Sequence, residues 1–344
     1  MRHPGQTRTA MSSISRRTRH AAGLVTALTA ASMLLAACGG SDSSSGSSSK
    51  SITVGGFDIA AGSSLYYASE KGYFKKAGLD VKVKTLTAAE FVPAVTSQQV
   101  NVSFGSVPAV FLAASKNLPV TMLFQQLATS PDNCPQTLLV SPGSSIKTIA
   151  DLKGKTIAID SQNSAEELAL NPILEHNGIQ PSEVKYIPVG AVGQPDLAAV
   201  QKGTADAMVQ TEPFSTSMQA SGDARLITNL CVSPAPNPLN NSGYFTTPKY
   251  LSSNKASIKL FEQAMVDVTK DINAHPDTFN AWLAKRFKAP VKAMAAQHLG
   301  TFGVYDRKDS YIYLQKAMVQ VGLPVSDVKI SDINSPLLVT GSDG

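Results

Sequence analysis

Few residues of this 344-residue chain have the types and spacing for covalent or metal chemistry. Three are cysteines. Cys38 stands directly behind Leu35-Ala36-Ala37, at the end of an apolar run, where a thiol is a target for modification rather than a catalyst. Cys134 and Cys231 belong to no Cys-x-x-Cys and to no Cys/His cluster, so metal or redox chemistry has little to build on. Outside the cytoplasm such an isolated pair reads as a disulfide, with two free thiols as the alternative. His176, His275 and His298 are scattered, each behind a helix-like run, and read as surface or capping residues. The sequence shows no Gly-x-Ser-x-Gly, no His-Glu-x-x-His and no nucleophile–base pair. Its chemistry is therefore expected to be that of holding a molecule, with no catalytic residue, no metal and no cofactor.

Groups suited to holding a ligand lie in four short loops. The first runs from Phe57 and Asp58 to Ser63 and Ser64, and the second is Gly105-Ser106. The third is Ser161-Gln162-Asn163-Ser164, with Glu167 placed as a capping partner of Ser164. The fourth is Gly190 to Gly193, ahead of Pro195. Hydroxyls, amides and free backbone N–H groups there suit a polar or anionic head without any formal positive charge. Each serine reads equally well as a plain helix cap, so it is the convergence of the loops that makes a site. Phe57 either stacks on a ligand ring or plugs the core. Glu212 either receives a ligand amine or hydroxyl or holds a strand end. Asn240, Asn241 and Tyr244 are placed to reach the same site, and Trp282, the one tryptophan, reads as packing.

These loops owe their position to an α/β alternation. Strand-like runs at 52–55, 81–84, 101–104 and 120–124 alternate with helical patterns at 64–77, from Thr87 onward, and at 107–116. Residues 128–135, with two prolines, an Asp-Asn pair and Cys134, read as a crossing to a second lobe. There the alternation resumes: strands at 137–140, 156–160, 184–188 and 207–209, helices at 164–177 and 195–202. A Pro- and Asn-rich stretch at 232–243 reads as the return crossing. Helices follow at 255–273, 276–287, 290–299 and 308–321. The expected division is residues 51–133 with 247–344 as one lobe and residues 134–246 as the other. Two crossings make a hinge, with the cleft between lobes as the ligand site. About 295 residues beyond the N-terminal segments suit two such lobes.

That N-terminal region reads as an export signal. Arg2, Arg8, Arg16, Arg17 and Arg19 precede an apolar stretch at 21–37 that is too short for a membrane span. Leu35-Ala36-Ala37-Cys38 resembles the bacterial lipobox, which implies that residues 1–37 are removed and Cys38 is lipidated. Residues 38–50, nearly all Gly and Ser, form a flexible tether. Arg16-Arg17 leaves Sec and twin-arginine export both open, and Met11 is an alternative start. The chain has 30 basic and 25 acidic residues; with five arginines in the signal, 25 of each remain. The basic pI thus belongs to the signal, and no basic face points to nucleic acid.

Three further stretches carry a resemblance. Ala68, Lys71-Gly72-Tyr73-Phe74 and Gly78-Leu79-Asp80-Val81 form the first. Residues Ile149 to Ala158, with Asp151-Leu152-Lys153-Gly154, form the second, and Gln201 to Ala207 followed by Glu212-Pro213-Phe214 the third. In this order they resemble the substrate-binding proteins of bacterial ABC importers for nitrate, alkanesulfonates, taurine and thiamine-precursor pyrimidines. The resemblance spans about 51–338. It implies an α/β, two-lobed periplasmic-binding-protein-like fold of type II, hinged by two chain crossings. It also implies a monomeric receptor at the outer face of the cell membrane, delivering a small molecule to an ABC permease. Sulfonate-like compounds are the first expectation for the ligand and thiamine-precursor-like heterocycles the second. No arginine stands in the four loops, which argues against a tightly held dianion. A ligand sensor is the nearest alternative. An enzyme on the same fold is the most distant, because the synthases of the superfamily carry a cysteine-rich motif missing from this chain.

Overall fold

The computed structural model describes residues 50–232 and 237–341. The expected export signal, Cys38 and residues 39–49 of the expected tether lie outside them. Eleven strands form among the described residues. They are β1 (Lys50–Gly56), β2 (Leu79–Thr85), β3 (Val102–Ser106), β4 (Thr121–Ala128), β5 (Gln136–Val140) and β6 (Thr156–Ile159). The rest are β7 (Lys185–Pro188), β8 (Ala207–Thr211), β9 (Arg225–Asn229), β10 (Ser242–Thr246) and β11 (Thr301–Tyr305). One sheet has the order β11-β4-β10-β3-β1-β2 and the other β7-β6-β8-β5-β9.

The helical connections dictate which strands run parallel. β1 pairs in parallel with β2 and β3, and β6 with β7 and β8, each across a helix-bearing crossover. Strand β10 runs antiparallel between β3 and β4, and β5 antiparallel between β8 and β9. Both sheets are covered on two faces, so the central strands β10 and β8 are buried along their whole length. In the second sheet the pleat sends Leu138, Ile157, Ile159 and Val209 into one buried cluster. Leu139, Ala158 and Met208, one residue out of phase, pack in another on the opposite face.

Two legs of chain join the sheets. At the end of β4, Thr129 N–H donates to Leu239 O at 2.9 Å, and Leu239 N–H returns to Thr129 O at 3.0 Å. At the start of β5, Cys134 and Cys231 form a disulfide with their Cα atoms 5.6 Å apart. The outward and return legs are therefore bridged at both ends.

Several expectations are corrected. The second lobe does not extend to 246, because β10 lies inside the first sheet, with Tyr244 opposite Phe104 and Phe124. The asparagines and Gly243 suggest a loop, yet Gly243 sits mid-strand, where a Cβ would collide with the Phe124 carbonyl. The helix expected at 64–77 is broken at Gly72, which takes φ +79°, into Ser63–Glu70 and Tyr73–Lys76. Lys50, assigned to the tether, is the first residue of β1. The helix expected at 290–299 is confined to Val291–Ala295, and β9 and β11 were not anticipated.

Candidate functional site

A cavity of about 290 Å³ lies where the carboxyl ends of strands from both sheets face each other across the two legs. Its first wall is apolar. Phe57, just past β1, meets Phe91 edge-on with ring centroids 5.2 Å apart, and Phe104 lies 6.3 Å from Phe57. Leu112 and Ser106 complete this side. Ser106 caps the helix Val107–Ser115, its Oγ accepting from Ala109 N–H at 3.3 Å, with the hydroxyl at the cavity rim. Gln136 and Asn241 line the hinge side, where Asn241 Nδ2 donates to Gln136 Oε1 at 3.3 Å across the legs.

The second wall is built from the loop after β6. Asp160 follows the strand, and Ser164 caps the helix Ala165–His176 by accepting from Glu167 N–H at 3.3 Å. Asn163 turns the chain at φ +57°, and its N–H donates to Glu167 Oε2 at 2.6 Å. These bonds aim Gln162, Asn163 and Glu166 into the cavity, and both Asp160 and Glu166 line it. Glu166 is 6% exposed, and its Oε2 accepts no hydrogen bond. Asp196 lies behind it, fully buried, accepting from Gln210 Nε2 at 2.6 Å and Gly193 N–H at 3.1 Å.

This acidic wall is electrostatically unsettled. Burial, then the neighbouring charge of Asp160, pushes the Glu166 carboxyl well above the usual carboxylate range. Burial pushes Asp196 up to about 7, against the lowering effect of the Gln210 hydrogen bond. No lysine, arginine or histidine lines the cavity among the described residues.

Of the residues singled out in the sequence, Phe57, Ser106, Gln162, Asn163, Ser164 and Asn241 meet in this cavity. Six others do not line it. Asp58 turns to Arg286, whose Nε lies 2.8 Å from Oδ1. Ser63 is buried in its own helix turn and donates to Ile59 O at 2.8 Å, with Ser64 buried beside it. Gly105 packs under Phe245, which leaves no room for a Cβ. Gly190 makes an exposed turn at φ +85° and donates its N–H to Asp160 O at 3.0 Å. Glu212 is buried on Thr216, whose Oγ1 donates to Glu212 Oε1 at 2.6 Å. It faces a different cavity, behind the legs, and its carbonyl accepts from Ala60 N–H of the other lobe at 3.0 Å. Of the remaining suggestions, Asn240 donates to Leu127 O and Tyr244 is buried in the core.

The sequence reading missed Asp160, Glu166, Phe91 and Phe104. Two acids in the first turn of a helix look like ordinary partners of its dipole. Phe104 ends a strand and looks like core.

The NMT1/THI5-like family profile matches residues 61–279. No curated protein matches the chain in sequence. Among solved structures, the alkanesulfonate-binding protein SsuA of Xanthomonas axonopodis pv. citri, bound to MOPS, superposes with a TM-score of 0.70 at 15% identity, over 83% of this chain and 98% of its own. The aliphatic sulphonate binding protein SsuA of Escherichia coli gives 0.68 at 17%, over 86% and 95%. The nitrate-binding protein NrtA of Synechocystis PCC 6803 gives 0.68 at 12%, over 83% and 86%. The shared architecture is the two-lobed α/β fold of periplasmic binding proteins.

Proposed function

The chain belongs to the NMT1/THI5-like family, and on that footing we propose that it is the solute receptor of an ABC importer. It captures one small organic molecule between its lobes and presents it to a permease. The observation that carries this reading is the interlobe cavity, walled by aromatic rings on one lobe and polar loop groups on the other. At about 290 Å³ it suits a compact molecule of one or two rings. The bridged pair of legs supplies a hinge, and a ligand touching both walls favours the closed form by its differential affinity.

The receptor works outside the cytoplasm, held to the membrane through a lipid on Cys38. The lipobox-like Leu35-Ala36-Ala37-Cys38 supports that placement, and the Cys134–Cys231 disulfide suits an oxidising compartment. The first expectation for the ligand, a sulfonate, draws no support from the cavity, which offers carboxylates and no cationic side chain.

A thermal-shift screen of the purified protein tests the reading, with nitrate, taurine, alkanesulfonates, aromatic acids, amines and pyrimidines. A ligand at ~100 times its Kd adds about 2.7 kcal/mol of stability. One chemical class is expected to raise Tm clearly. No shift with any class contradicts the receptor reading.

A further inference from the structure

Two carboxylates, Asp160 and Glu166, line the cavity, with a third, Asp196, packed behind them. None of the three has an ion-pair partner among the described residues. Donors reach Asp160 from Ser161, Asp196 from Gln210 and Gly193, and Glu166 from the Asp160 backbone, but Glu166 Oε2 accepts none while more than nine-tenths of its residue is buried. A buried, unpaired acceptor beside like charge is costly unless something brings it a donor or a positive charge.

We propose that the cleft takes an organic cation, a protonated amine or amidine on a compact apolar or aromatic body. Its N–H groups donate to Glu166 and Asp160, and its body lies against Phe57, Phe91 and Phe104. This identification rests on the receptor reading and names its substrate class. Three observations converge on it. The second-lobe wall presents two carboxyl groups and an unmet acceptor. The first-lobe wall presents aromatic rings, whose faces attract cations. An anion would meet two carboxylates and no lysine, arginine or histidine. A divalent metal is a poor alternative, because a hard cation demands six or more oxygen ligands, and no group of three acids or histidines converges to hold one among the described residues.

The test compares three probes with one ring in common: benzylammonium, benzyl alcohol and phenylmethanesulfonate, titrated calorimetrically into the purified protein. Benzylammonium is expected to bind at least about tenfold tighter than the alcohol, with the sulfonate weakest. Glu166→Gln keeps the shape but cannot form a carboxylate opposite a bound cation. It is expected to reduce the ammonium-over-alcohol preference about tenfold, while the ligand-free protein becomes no less stable. Equal affinity for ammonium and alcohol, a tighter sulfonate, or an unchanged preference in Glu166→Gln overturns the cation assignment and leaves the receptor reading standing. No binding by any of the three at millimolar concentration likewise overturns the cation assignment, and the receptor reading then rests on the broader thermal-shift panel.

Discussion

Asp196 and Glu262 are fully buried carboxyls, each pushed up to about 7, and burial is the main cause at both. Such a group binds its proton more tightly in the folded chain than in the unfolded one, where it titrates near 4. Its contribution is fully present below about pH 4 and is lost as pH rises through about 7. At Glu262 the cost secures the end of the chain, because Oε2 accepts from Leu338 N–H at 2.8 Å while Oε1 accepts nothing. Glu262→Gln retains an acceptor for Leu338 and removes the charge. Urea unfolding is expected to show it more stable than the parent by about 1–3 kcal/mol at pH 8 and unchanged at pH 4. Equal stabilities at both pH values would sink this account. The cleft residues were legible in sequence where strand ends and caps announce them, as for Phe57, Ser106 and the 162–164 loop. Asp58 was not, because its partner Arg286 lies 228 positions away, and nothing local separates a salt bridge from a ligand contact. Glu166 was hidden by its neighbour: Glu167 makes the cap bond, and Glu166, one residue earlier, points into the cavity.

Among the elements, the parallel strands and their helices could be read from apolar runs and caps. Thr87 N–H donates to Glu90 Oε2 at 2.8 Å, as the capping-box spacing implies. The antiparallel additions β9, β10 and β11 could not, since each is five residues long and pairs with distant chain. Strand β10 is the instructive case. Its sequence, Ser-Gly-Tyr-Phe-Thr, begins like a turn, and only insertion between β3 and β4 makes it a strand. The crossing legs, by contrast, announce themselves through proline and cysteine. The disulfide joins the start of β5 to the end of β9 and closes a loop of sequence separation 97. Replacing both cysteines, Cys134→Ser with Cys231→Ser, is expected to lower unfolding stability by about 2–5 kcal/mol. Reducing agent should do the same to the parent and nothing further to the variant. A variant as stable as the oxidised parent would show that the bond constrains nothing.

For the molecule as a whole, two sheets joined by two legs leave a cavity between them, and the receptor reading rests on that arrangement. The lobes already meet at Ala60 with Glu212 and at Phe214 with Phe287, whose rings lie 6.1 Å apart. Residues 38–344 carry 25 basic and 25 acidic residues, so no net field draws in a polyanion and selection falls to the cleft itself. The central claim is that this cleft holds one small molecule, and native mass spectrometry tests it most directly. The purified protein would be equilibrated with a total metabolite extract, desalted and weighed intact. The account predicts a single one-to-one adduct of small organic mass, lost when Phe57→Ala is combined with Asn241→Ala. A protein that emerges from the extract without an adduct, or whose adduct is undiminished in the double variant, would contradict it.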